Sequence, residues 1–138
     1  IHGYETEFQY KLNKLIDLEG SFSATRGENL TDNSPLYYVP PDKILLSTEV
    51  YLSPFSINLM HKKVFSQNRV GLYEETTPGY VTYNLIGTYT IRSTQAIHKF
   101  ILQIDNIFDR KYYNHLSRIK SIMPEKGRNI GFQYRLNF

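Results

Sequence analysis

The chain contains no cysteine, so it has neither a disulfide framework nor a thiolate metal site. It has no run approaching the roughly 18 consecutive apolar residues of a membrane helix. Mean hydropathy is negative, and on that measure alone the chain would pass for a soluble protein. Neither sign of charge dominates: 16 Lys and Arg face 13 Asp and Glu, a net +3. The basic residues are scattered, with no stripe or basic–aromatic module, so no nucleic-acid partner is expected. No serine or carboxylate stands in a nucleophile–base arrangement, so no catalytic residue and no enzyme activity are expected. His2, His61, His98 and His115 lack metal-ligand spacing, so neither a metal site nor a cofactor is expected. The chain opens without a basic-then-apolar stretch, so any signal peptide is expected to have been removed or to lie upstream.

What the chain does have is aromatic residues and alternation. Tyr occurs 12 times and Phe 8 times, and tyrosine suits both strands and membrane–water interfaces. Near the end, Ile130, Phe132, Tyr134, Leu136 and Phe138 alternate with Asn129, Gly131, Gln133, Arg135 and Asn137. Successive strand side chains point to opposite sides, so this predicts a strand with one apolar and one polar face. Tyr4, Phe8, Tyr10 and Leu12 repeat the pattern, as do Ile16, Leu18, Phe22 and Ala24. Further strands are predicted around Lys43–Leu52, about 56–67, Val81–Ile91 and Lys99–Asp105. The 56–67 strand is the least regular, because His61, Lys62 and Lys63 break its rhythm. About seven strands result, most near the ten residues that cross a bilayer at a tilt.

The connections alternate in length. Asn13-Lys14, Ser53-Pro54-Phe55 and Ser93-Thr94-Gln95 are short, whereas Gly27–Asp42, Asn68–Gly79 and Tyr113–Gly127 are long and polar. Short turns at one rim and long loops at the other describe an outer-membrane barrel with periplasmic turns and extracellular loops. The predicted fold is all-β: a transmembrane antiparallel β-barrel segment. An odd strand count cannot close in the usual bacterial manner, and open edges in lipid leave backbone groups unpaired. The chain is therefore expected to be part of a larger barrel or to assemble with other chains. The competing expectation is a soluble β-sandwich, which requires a second sheet over the apolar face.

Several of these residues resemble the C-terminal region of TonB-dependent outer-membrane receptors. Asn106-Ile-Phe108-Asp109-Arg-Lys-Tyr112 is similar to the family's Asn-Leu-Phe-Asp-x-x-Tyr stretch, and Gly127-Arg128 to the pair that opens the last strand. Phe138 matches the terminal aromatic that the barrel-assembly machinery reads. Pro40-Pro41 and Pro78-Gly79-Tyr80 match the family's pre-strand motifs. The resemblance implies that residues 1–138 are the C-terminal part of a barrel of about 22 strands around a plug. The plug and the region that contacts TonB would lie upstream. It further implies a bacterial outer-membrane location, a periplasmic C-terminus, contact with outer-membrane lipid, and active uptake of a small metal chelate such as a siderophore, haem or cobalamin. A passive pore, or a glycan or peptide importer working with a surface lipoprotein, is the alternative.

The candidate ligand-binding residues lie in the long loops: Tyr37, Tyr38, Arg69, Tyr73, His115 and Arg118. Exposed tyrosines offer large contact area at low entropy cost; an interfacial aromatic girdle is the competing role. Arg69, Arg118 and Lys120 suit an anionic chelate or lipopolysaccharide phosphate. For His115, a structural hydrogen bond beneath the last loop competes with ligand contact. The strand polar faces carry Glu5, Glu7, Lys11, Asp17, Glu19, Lys43, Glu49, Lys99, Asp105 and Arg135, expected to offset one another in pairs on a wet wall.

Overall fold

The computed structural model describes residues 1–138. The strands are β1 (His2–Lys11), β2 (Ile16–Arg26), β3 (Glu28–Asn29), β4 (Ser34–Pro35), β5 (Lys43–Leu52), β6 (Phe55–Val64), β7 (Tyr80–Arg92), β8 (Ile97–Asp105) and β9 (Asn129–Asn137). Seven of them form one antiparallel sheet in the order β1-β2-β5-β6-β7-β8-β9. Each long strand pairs with the next long strand along the chain, and β1 does not meet β9, so the sheet stays open. β3 and β4 make a two-residue ladder within the first long loop. The three tight turns all fall at one end of the sheet and the three long connections at the other.

Register decides the two faces. Phe8 opposes Gly20, which opposes Leu46, then His61, then Tyr83. Lower down, Leu52 opposes Phe55, Phe55 opposes Tyr89, Tyr89 opposes Phe100, and Phe100 opposes Tyr134. Most apolar positions of all seven strands thus share one face, although Leu45, Met60, Ile86 and Ile101 fall on the other. Rings form a row toward the tight turns: Phe55 and Tyr89 lie 4.7 Å apart, Tyr89 and Phe100 6.3 Å, Phe100 and Tyr134 5.1 Å. Toward the long loops, Tyr83 contacts His61 at 4.9 Å and Phe108 edge-on at 5.3 Å. Phe8 lies flat over Gly20, where a Cβ would sit 2.2 Å from the ring.

No second layer covers this face. Only 12 of 138 residues are buried, and just Val39, Val64 and Tyr80 among them are hydrophobic. A sandwich would bury its inner face against another sheet, and none exists here. An apolar face this wide and uncovered is the surface a wall strand presents to hydrocarbon.

Two expectations need correcting. The fourth strand stops at Val64 rather than running to about residue 67. There the Phe65 N–H turns to the Asp42 carbonyl at 2.9 Å, and Gln67 bridges to Thr77 within the second loop. The polar face also does not offset its charges in pairs. None of its strand acids or bases enters an ion pair, for the three found are Arg26–Asp42, Arg69–Glu28 and Lys120–Glu74, with the His115 ring also close to Glu74. Register mixes the charges instead: Lys11 faces Asp17, but Asp17 also faces Glu49, and Lys99 faces Arg135.

Candidate functional site

The three long loops are tied together above the polar face, and Glu74 is the knot. From the second loop its carboxylate accepts the Gly71 N–H at 3.2 Å and, from the first loop, the Tyr38 N–H at 3.3 Å. From the third loop, Lys120 Nζ donates to Glu74 Oε1 at 3.2 Å and to the His115 carbonyl at 3.1 Å. Side-chain exposure is 5% for Glu74, 9% for Lys120 and 1% for His115, so the ion pair is nearly dry. The Lys120 ammonium also sits 5.9 Å over the Tyr38 ring. Around this centre the Tyr37 hydroxyl donates to the Leu72 carbonyl, and Gln67 Nε2 donates to the Val39 carbonyl at 3.0 Å.

His115 has a defined tautomer. Lys120 Nζ lies 3.3 Å and Thr77 Oγ1 2.9 Å from its Nδ1. An ammonium only donates, so Nδ1 is the bare nitrogen and the proton rests on Nε2. Nε2 comes within 3.2 Å of Glu74 Oε1 yet makes no aligned hydrogen bond. Burial, then the neighbouring Lys120 charge, pushes the imidazole below its ordinary value, and Glu74 only partly opposes that. For Glu74 burial acts upward, but the hydrogen bonds from Gly71, Lys120 and Tyr38 together hold its carboxyl below the usual range. At neutral pH the site therefore carries a neutral histidine between an ammonium and a carboxylate.

The candidate residues divide by position. Tyr37, Tyr38 and His115 converge on the knot. Tyr73 is 94% exposed, Arg69 pairs with Glu28 at the surface, and Arg118 is exposed without an ion-pair partner. Sequence reasoning missed Glu74 and Thr77 and saw Lys120 only as a surface cation. The adjacent acids Glu74 and Glu75 follow Tyr73 in a polar loop, and no periodicity marks which of them turns inward.

The residues that carried the family resemblance build the base of the third loop. Asn106 has a φ of 50°, a left-handed conformation that asparagine tolerates. Its side chain accepts the Arg110 N–H at 2.9 Å and donates to the Arg110 carbonyl at 2.9 Å and the Lys126 carbonyl at 3.4 Å. Asp109 Oδ1 accepts the Arg128 N–H at 2.7 Å. A Cβ on Gly127 would stand 2.6 Å from that oxygen, which explains glycine before Arg128. The Tyr112 ring lies 4.3 Å from Tyr80, Phe108 reaches the apolar face, and Phe138 is fully exposed.

No family model matches the chain. Among solved structures, the copper transporter OprC matches with a TM-score of 0.85 at 21% identity, over 96% of this chain and 22% of that one. The fold is that of a β-barrel wall segment. The chain spans about a fifth of the transporter it matches (22%), so the match concerns the wall alone.

Proposed function

We propose that residues 1–138 form the C-terminal part of the barrel domain of a TonB-dependent receptor in the bacterial outer membrane, which imports a small metal chelate. The observation that carries this reading is the register. It gathers one mainly apolar face over seven strands and puts every long loop at the opposite rim from the tight turns. Lipid hydrocarbon satisfies that face, and only further strands of a closed barrel can satisfy the free edges of β1 and β9. The long loops then face the exterior and the C-terminus the periplasm. The polar face lines the lumen against a plug, and Phe138 is available to the assembly machinery. Likeness to the wall of a copper transporter supports transport as the activity.

The test is uptake by cells carrying the full-length protein, using radiolabelled ferric citrate, haem and cobalamin with TonB present, TonB deleted or the proton gradient collapsed. Accumulation that requires both TonB and the gradient is the expected result. Accumulation indifferent to both would replace the receptor with a passive pore.

A further inference from the structure

Between the polar face and the third loop lies a cavity of about 270 Å³. Lys43 and Lys62 form part of its wall, Thr25 and Tyr80 flank them, and Asn114 lies across from them in the third loop. Lys43 opposes Val64 and Lys62 opposes Leu45, so the two lysines are diagonal neighbours on one face, within reach of each other's long side chains. Both are half-buried, and neither takes part in an ion pair. Lys62 Nζ rests 5.8 Å over the Tyr80 ring. Glu125 of the third loop does not come within ion-pair distance of Lys62. Two neighbouring half-buried cations without a bound acid repel each other, and an anion between them would relieve that repulsion.

We propose that this cavity binds a carboxylate or phosphate group of a small ligand, held by Lys43 and Lys62 with Thr25 and Asn114 as neutral hydrogen-bonding partners. The volume takes one such group and its immediate substituents. On the same face Glu5 stands in line with Lys43 across Ser23, so the lysines form a positive spot beside an acidic one. The proposal rests on the transport reading only in taking the polar face as a lumen a ligand can enter.

The test uses the purified full-length protein in detergent with inorganic phosphate and citrate as probes at constant ionic strength. Binding is followed by calorimetry and by the rise in unfolding midpoint. Saturable stabilisation of the wild type is expected, with Lys43→Met and Lys62→Met each weakening it about tenfold or more, the loss of one charge-assisted bond. Lys99→Met, on the same face but outside the cavity, should bind like the wild type. If either lysine variant fails to assemble, Lys62→Gln replaces it. Undiminished binding by the double variant would overturn the proposal. So would absent binding with carbodiimide cross-linking of Lys62 to an acidic residue of the same protein, which would make the occupant internal. These assays need neither TonB nor a proton gradient, so a failure of uptake alone would refute the transport reading and leave the anion site standing.

Discussion

Replacing Glu74 by glutamine keeps the shape of the loop knot and removes its only negative charge. Lys120, 9% exposed at its side chain, would then hold an ammonium with no counter-charge, and an NH₂ group would compete for the place where the Tyr38 and Gly71 N–H groups now donate. Breaking a buried pair by removing one partner costs about 3–5 kcal/mol. Taking about 3 kcal/mol for this slightly wet site raises the open population of the loops more than a hundredfold. The strands share none of these bonds, so the effect should be local. Amide hydrogen exchange on the full-length protein in micelles resolves this. Tyr38, Gly71 and Thr77 should lose about two orders of magnitude of protection, while Leu59 and Leu85 in the sheet keep theirs. Loop protection unchanged within about threefold would show that Glu74 is not the tie. Equal loss in strands and loops would show that the damage is global.

Three further outcomes follow from the same geometry. The knot should loosen as the medium is acidified. The folded His115 value lies below its ordinary 6.5, so the unfolded loop binds its proton first and stability falls as pH drops below about 6.5. Glu74, also depressed, adds a second loss below about 4.5, and intrinsic-rate-corrected exchange at Thr77 should rise in both windows but only in the lower one for His115→Gln. Leu85→Arg, at the centre of the apolar face between Leu59 and Ile104, should lower folding stability in lipid vesicles by about 2–4 kcal/mol, whereas Thr88→Arg on the polar face should change it little; equal costs would remove lipid from the apolar side. Asn106→Ala loses three hydrogen bonds and leaves alanine at a φ of 50°, so about 3 kcal/mol of stability should disappear, read as a lower temperature for the heat-modifiable shift on gels.

Much of the wall could be read before the structure because a strand with one wet and one apolar side announces its period. Lys43–Leu52 was expected with the bounds it has. The fourth strand was harder, since His61 and Lys63 occupy apolar-face positions near the loop rim and interrupt its alternation. Its end depended on Asp42 and Thr77, contacts outside its own segment. The alternating charges gave no hint of which would face one another, because one-strand periodicity says which face a residue takes and nothing about which strands adjoin. The loop knot was out of reach for the same reason. Glu74 meets Tyr38 across 36 positions and Lys120 across 46, and each of the three looks like any solvated loop residue in isolation. Asn106, Asp109 and Gly127-Arg128 were found through resemblance; their roles as left-handed turn residue, acceptor and close approach became visible only in three dimensions.

The tying of three loops to one carboxylate also bears on how an antibody would recognise this rim. Tyr38, Leu72 and Lys120 hold positions set by partners in other loops, so an epitope on this rim is composite. Serum raised against a linear peptide from any one loop should recognise the denatured chain better than the native one. An escape substitution in the second loop would redraw the surface of all three at once.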